Sequence, residues 1–274
     1  MKVELIAMTD AMWEGKPAGS LASPEQVCNH AAKTCTSKDA GTMAGTWYVE
    51  DEPVPVWNDL DMKPLKAAIA SGHESVLENA VYTFEIKGVS RALTHQLVRH
   101  RIASYSQQSQ RYVNMGSFGY VVPESIGKLT DENKFLLKEY VGLMNRIHET
   151  YNMLIENGCP EEEARYVLPN ACTTNIILTA NARELRHIFA VRCCERAQSE
   201  IRELANKMLK ICKEVSPTIF ENAGPSCVRD GFCRESKSCG RAPKLESVME
   251  IMYEMDGEAS IRDEQRTAER ECHR

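Results

Sequence analysis

AVYTFEIK, residues 80–87, alternates by twos: Tyr82, Phe84 and Ile86 fall on one face, Thr83, Glu85 and Lys87 on the other. That period marks a strand with one face against a core and one toward water. Outward from it, KVELIAM (2–8) reads as a first strand and CTTNIILTA (172–180) as another. Helical patterns fill most of the remainder, so the expected fold is α+β: an antiparallel or mixed sheet flanked by helices, helix-rich.

The helix signals are local. Ser23-Pro24-Glu25-Gln26 supplies a cap, a proline at the first helical position and a glutamine at the third, predicting a helix over about Pro24–Cys35. Residues 37–60 are polar and loop-like, 62–71 look helical and stop at Gly72, and Ser75-Val76-Leu77-Glu78 reads as a second capping box. After the central strand, 89–100 return to helix: Leu93 and Leu97 are four apart, and Gln96 and Arg99, three apart, share a face. RIASYSQQSQR (101–111) then reads as a polar loop. Thr130 is the expected cap of a long helix to about Asn157, stopped by Gly158. Pro160 opens a short helix bearing Arg165, ended by Pro169; Asn181 caps NARELRHIFAVR (181–192), and helical pattern resumes through 197–213. Residues 224–243 are Gly/Pro/Cys-rich and irregular, and the tail beyond Gly257, mixed in charge without an apolar face, is expected to be disordered.

A chain of 274 residues holds one large domain or two small ones. Its formal net charge of −6, 33 basic against 39 acidic residues, excludes a whole-protein basic field for a nucleic-acid polymer. The charge is uneven, however. Between Glu85 and Glu124 there is no acid, while Lys87, Arg91, Arg99, Arg101 and Arg111 all lie there. A cationic window on an acidic protein suits a small polyanion; a surface stripe paired with acids from elsewhere in the fold is the competing reading. No signal-peptide run and no membrane-length apolar stretch is present, and the eleven cysteines read as reduced thiols, so a cytoplasmic protein without a membrane partner is expected.

Two constellations carry chemistry. Arg99-His100-Arg101 opens the cationic loop, and the two guanidiniums flanking His100 cannot point one way, so one loop can face two anions. Ser104, Ser106 and Ser109 add hydroxyls; Gln107 and Gln110 offer donors and acceptors of the kind a nucleobase or ribose edge needs. Phosphate and base chemistry together suggest a nucleotide site, against the alternative of a solvated basic loop. The second constellation is Asn181, Arg183, His187 and Arg192. A cap at Asn181 is expected to leave free first-turn N–H groups that favour an anion, whereas His187 alone is an ordinary surface histidine.

Arg99-His100-Arg101, seven residues, then Ser109 resembles the signature of the flavin-dependent thymidylate synthases. GHESVLEN (72–79), THQLVRHR (94–101), SYSQQSQRYV (104–113), ARYVLPN (164–170), NARELRH (181–187) and the stretch from Arg192 to Glu200 follow the family's order. The resemblance covers about residues 1–220, implying a catalytic domain there and a Cys-containing extension, partly irregular or disordered, over 221–274. It implies methylation of dUMP to dTMP, with methylenetetrahydrofolate as one-carbon donor, FAD as cofactor and NADPH as its reductant, in a cytoplasmic homotetramer with sites at subunit interfaces. By position it places Ser75, Glu78, Arg99, His100, Arg101, Gln107, Asn181, Arg183 and His187 toward the cofactor. It places Gln96, Arg99, Gln107, Ser109, Gln110, Arg111, Arg165 and Arg192 toward dUMP, with Arg192 as the catalytic guanidinium against the uracil ring. One departure is Arg196, where the family often carries histidine.

The cysteines keep two alternatives open. Cys193 and Cys194 follow Arg192 and would suit a cysteine-dependent nucleotide methyltransferase, since a cationic neighbour lowers a thiol pKa; packing is the plainer reading. No metal is expected. Cys227, Cys233 and Cys239 recur with five residues between each, not the CxxC spacing of zinc sites, so a metal knot with Cys212 or Cys272, as in a nucleic-acid-binding module with a Cys metal site, is the lesser alternative.

Overall fold

In the computed structural model of the chain, which describes residues 1–10, 12–13, 16–17, 24–36, 47–49, 52–54, 62–128 and 133–249, the alternating stretch is a central strand. The strands are β1 (Lys2–Met8), β2 (Met12–Trp13), β3 (Lys16–Pro17), β4 (Trp47–Val49), β5 (Glu52–Val54), β6 (Val81–Ser90), β7 (Ala103–Gln107) and β8 (Thr173–Asn181). β2–β3 and β4–β5 are short hairpins; the other four form one antiparallel sheet in the order β1-β6-β8-β7. Tyr82 lies opposite Ala180, Phe84 opposite Leu178 and Ile86 opposite Ile176. All six are buried. On the other face Thr83 and Thr179 share a hydroxyl hydrogen bond at 3.0 Å.

The helices are α1 (Pro24–Thr36), α2 (Lys63–Ala70), α3 (Arg91–Leu97), α4 (Glu124–Gly127), α5 (Lys134–Glu156), α6 (Glu161–Ala164), α7 (Ala182–Arg192), α8 (Ser199–Val215), α9 (Pro217–Phe220) and α10 (Ser226–Asp230). Cys28 of α1, Leu65 of α2, Leu185 and Phe189 of α7 and Phe220 of α9 close over the Tyr82 face. From α8 come Ile201, Leu204, Ala205, Met208 and Cys212, spaced three and four apart to keep one stripe inward. Each large side chain buried there contributes about 1.5–3 kcal/mol of transfer free energy. A smaller cluster of Met115, Phe118, Tyr151, Ala164 and Cys172 lies between α5 and the start of β8.

Several expectations are corrected. The helix expected from residue 89 starts at Arg91. Gly88 at φ 68° sits in a register shift between Ile86 and Val89, which lets β6 run on to Ser90. Ser90 then caps α3, its Oγ accepting from Leu93 N at 3.0 Å. Residues 103–107, expected within a loop, form edge strand β7. Ser75 is not a cap: the segment is a 3-10 helix, Glu74–Asn79, with His73 at the capping position and no side-chain cap bond. Within 37–60 the hairpin β4–β5 replaces loop. Pro160 is the cap of α6 rather than its first residue. Residues 224–243 carry α10 and a bridge of Cys233 with Lys244. The expected caps Ser23 and Thr130, the remainder of 37–60, Cys272 and the tail beyond Gly257 lie outside the described residues.

Candidate functional site

The C-terminal turn of α7 brings Arg192 to the loop that leaves α3. Arg192 Nε donates to His100 Nε2 at 2.9 Å, and Nη2 donates to the Gln96 carbonyl at 3.2 Å. His100 is 6% exposed, and its pKa is pulled down to about 4 by burial, then by the charges of Arg192 and His187. The ring is therefore neutral near pH 7, and Nε2 must be its acceptor nitrogen to receive the Arg192 proton. Nδ1–H then faces Glu184 Oε1 at 3.7 Å, too long for a hydrogen bond and, with a neutral ring, not an ion pair. Burial raises the Glu184 carboxyl, with His187 opposing. Tyr105 of β7 fixes the loop from below, its hydroxyl within hydrogen-bond distance of the Leu97 and His100 carbonyls at 2.8 and 2.9 Å.

A second group sits where β7 leaves β8. Gln107 Nε2 donates to Thr94 Oγ1 at 3.0 Å and lies 3.4 Å from Thr174 Oγ1. Gln110 Nε2 approaches Cys172 Sγ at 3.7 Å, and Ser109 Oγ accepts from Arg111 N at 3.1 Å. Arg111 places Nε and Nη2 on one oxygen of Glu162, at 3.2 and 3.0 Å, while Arg165 Nε donates to the Glu162 carbonyl at 3.1 Å. Glu162 thus draws together two of the expected substrate-side arginines. A third cation stands nearby: burial lowers the Arg91 guanidinium, Cys172 opposes the shift and Arg165 adds to it.

The third group is on the far end of α7. Asn181 caps the helix as expected, Oδ1 accepting from Glu184 N at 2.9 Å, but Ala182 N is taken by the Ala80 carbonyl at 2.8 Å. Two first-turn N–H groups are thus already used, which corrects the expectation that the cap leaves them free. Arg183 pairs with Glu78 across the 3-10 helix. His187 meets His100 edge to face, ring centroids 5.6 Å apart. Ser75 lines a cavity of about 530 Å3 with Lys63, His73 and Val76.

Arg99 and Arg101 are exposed and make no side-chain hydrogen bond or ion pair with any described residue. Among the described residues the surface-stripe reading finds no acid for these two, while Arg111 does have one. Arg196 is exposed and touches this group only through its backbone N–H, on Cys194 Sγ at 3.5 Å. Cys193 packs in the main core, and burial pushes its thiol up to about 12, the wrong direction for a nucleophile. Sequence reading missed Tyr105, Glu184, Thr94 and Glu162. It singled out Arg91 only as charge. The lack of acids across 86–123 was the available signal for Arg91, whereas Glu162 is marked by nothing local.

Fold and site together define an α+β enzyme with an arginine-rich, acid-poor anion site. A family model described as "Thymidylate synthase complementing protein", Thy1, matches residues 19–218. Proteins named flavin-dependent thymidylate synthase are similar over most of the chain. The one from Geobacter sulfurreducens is 50% identical over 69% of this chain and 80% of its own length. That from Clostridium tetani is 42% identical over 82% and 92%, and that from Nitratidesulfovibrio vulgaris 39% over 90% and 97%. The chain belongs to the Thy1 family of flavin-dependent thymidylate synthases, as its ordered motifs implied. No helix among the described residues is long and apolar enough to cross a membrane.

Proposed function

We propose that the protein converts dUMP to dTMP, taking the one-carbon unit from methylenetetrahydrofolate and using FAD reduced by NADPH, in the cytoplasm. The observation that carries this is the Arg192 clamp. Its Nε and one Nη2 proton are fixed by His100 and Gln96, and the remaining guanidinium protons stay free for a ligand. Carbon 5 of uracil becomes nucleophilic when negative charge builds on the N3 side of the ring. A guanidinium that is already held in place stabilises that anion without reorganising, an effect worth on the order of 3–4 kcal/mol for one well-placed donor.

Gln107, Ser109, Gln110 and Gln96 supply the amide and hydroxyl edges for base and ribose. Arg111, Arg165 and the added Arg91 supply phosphate charge. The donor set also fits a flavin dinucleotide: Arg99 and Arg101 have no acid among the described residues and are open to its pyrophosphate, and Ser75, Glu78, Asn181, Arg183 and His187 offer polar contacts. His100 and Gln107, read as cofactor contacts, face protein groups here; His100 serves by holding Arg192. FAD, when bound, supplies the hydride. The catalytic domain spans 1–220, and 221–274 is an extension.

The sites are completed by neighbouring copies in a homotetramer. Ile102 is 71% exposed, Tyr112 80% and Tyr166 84%, all beside site residues. α5 buries only Met144 and Tyr151 while exposing Phe135, Leu136, Leu143 and Met153. The test is direct: dUMP, methylenetetrahydrofolate and NADPH are supplied with and without added FAD. Thymidylate formation that depends on flavin is expected; a colourless protein that makes none when FAD is supplied overturns the reading.

A further inference from the structure

Four cysteines from two distant parts of the sequence converge where α7 ends. Cys194 lies in the turn after Arg192, and its neighbour Glu195 is held from both sides: Arg202 of α8 reaches Oε2 at 2.8 Å and Arg241 reaches Oε1 at 2.7 Å. Arg241 is two residues beyond Cys239, so this contact lays the Cys239 turn beside Cys194. Cys233 is bound to the same strip, its N–H donating to the Pro243 carbonyl at 2.7 Å, with a parallel bridge to Lys244. Cys227 opens α10, which Gly231 closes at φ 77° by returning its N–H to the Cys227 carbonyl at 3.1 Å.

We propose that Cys194, Cys227, Cys233 and Cys239 form a tetrathiolate site for one Zn2+ ion, fastening the 224–244 segment to the end of the helix that carries Arg192. This departs from the expectation of no metal, and it replaces Cys212, which is fully buried in the main core, with Cys194. Burial first, then Cys233, Cys194 and Cys239, push the Cys227 thiol up. Among the described residues no three His, Cys, Asp or Glu side chains form a ready-made metal group. Closing the site therefore takes rotation of the thiols and an inward shift of the loop between the left-handed turns at Gly231 and Gly240.

The surroundings suit such a site. Zinc displaces a proton from each of the four thiols, and the resulting centre carries two net negative charges. Arg229, Arg234, Lys237, Arg241 and Lys244, against Asp230 and Glu235, give the segment the opposite charge. The Arg196 N–H on Cys194 Sγ is the kind of outer contact that steadies a metal thiolate. Apolar packing adds little to these polar contacts, since Val228 is 60% exposed and Phe232 is only partly buried.

The experiment uses the full chain, purified under reductant and dialysed against zinc, with metal per chain measured by mass spectrometry. About one zinc per chain is expected. Cys227→Ser and Cys239→Ser should each weaken zinc binding by at least roughly 10- to 100-fold, the cost of losing even an outer partner, while Cys159→Ser binds like wild type. Because a serine variant can misfold, wild type is also tested directly. Co2+ should give the charge-transfer bands of thiolate coordination, and zinc should shield four thiols from alkylation at Cys194, Cys227, Cys233 and Cys239 while Cys35 and Cys159 react. A folded wild type that takes up no zinc, undiminished binding in both serine variants, stoichiometric acid-labile sulfide, or disulfides among the four would each overturn the proposal.

Discussion

Arg192 Nε donates to His100 Nε2 at 2.9 Å across 92 positions of sequence. The bond exists only while His100 is neutral, and burial beside two other basic groups keeps it so, with a pKa of about 4. A buried histidine next to an arginine would otherwise be a repulsive pair. Here it is the device that aims the guanidinium, with Glu184 behind the ring and Tyr105 beneath the loop. Under the proposed function the roles separate: Arg192 would touch the substrate, and His100 would position Arg192.

Arg192→Lys is expected to retain flavin and fold but to lower kcat by about 100- to 1,000-fold, the range for removing one preorganised donor. Lysine keeps the charge but loses the planar fork, so it cannot hold His100 and a uracil edge at once. Steady-state rates alongside the flavin absorbance check this. Turnover close to wild type with unchanged nucleotide affinity would sink the assigned role.

The depressed His100 pKa sets a sign for stability against pH. Unfolded, the ring takes up a proton near 6.5; folded, it resists until about 4. Its contribution is therefore fully present above 6.5 and is lost as the pH falls from there through about 4, a span on the order of 3 kcal/mol. The facing groups are Arg192, His187, Tyr105 and Glu184, of which Glu184 is shifted in the opposite sense and is common to both proteins compared. Urea midpoints of wild type should decline over that window more steeply than those of His100→Gln, whose side-chain oxygen still accepts from Arg192. Parallel curves would mean that His100 titrates normally.

Glu162 occupies Arg111 and reaches Arg165 through its carbonyl. Both partners of the Arg111 pair are about half exposed, at 50% and 52%, so the pair contributes at most about 1 kcal/mol. Glu162→Gln should release Arg111 for phosphate, lowering KM for dUMP by roughly two- to fivefold with kcat little changed. A raised KM would instead identify Glu162 as a group that positions the arginines.

Legibility followed burial. The Tyr82, Phe84, Ile86 alternation announced β6 because one face of that strand is dry, and Asn181 announced α7 because its cap is a local bond. β7 was illegible for the opposite reason. It is a five-residue edge strand, Ala-Ser-Tyr-Ser-Gln, paired on one side only, and its apolar residues Ala103 and Tyr105 are only partly buried against the core. The arginines of the site could be read from an acid-free window, but their partners could not. Glu162, which holds Arg111, Glu184, which faces His100, and Glu200, which accepts from Ser90 at the cap of α3, come from segments 51 to 110 residues distant, which no local pattern reports. The proposed four-cysteine grouping has no local signature for the same reason, since α8 and α9 separate Cys194 from Cys227.

Cys193→Ala should leave turnover within about an order of magnitude while lowering stability by about 1 kcal/mol, the ordinary range for trimming a small core group. The thiol is 4% exposed and raised to about 12, so almost none is thiolate at neutral pH. Loss of activity with flavin and dUMP still bound would restore a thiol mechanism.

The last prediction concerns which copies build one site. Arg99 and Arg101 have no partner among the described residues although they lie beside a crowded polar site, and Ile102 between them and β7 is 71% exposed. Arg192 points into its own chain's loop, whereas Arg111 is held by Glu162 of α6. Within one chain the two proposed substrate arginines are held by different partners, and closed symmetry would let one copy's Arg111 complete another copy's Arg192 site. Complementation checks this. An inactive Arg192→Ala subunit is mixed, under conditions that permit exchange, with an inactive subunit carrying Ser109→Ala and Arg111→Ala. If the two regions come from different chains, a fraction of mixed sites is intact and thymidylate formation reappears. If labelled subunits exchange and the rate stays at zero, both regions belong to one chain, and the exposed rim of Ile102, Tyr112 and Tyr166 serves packing between copies without sharing the chemistry.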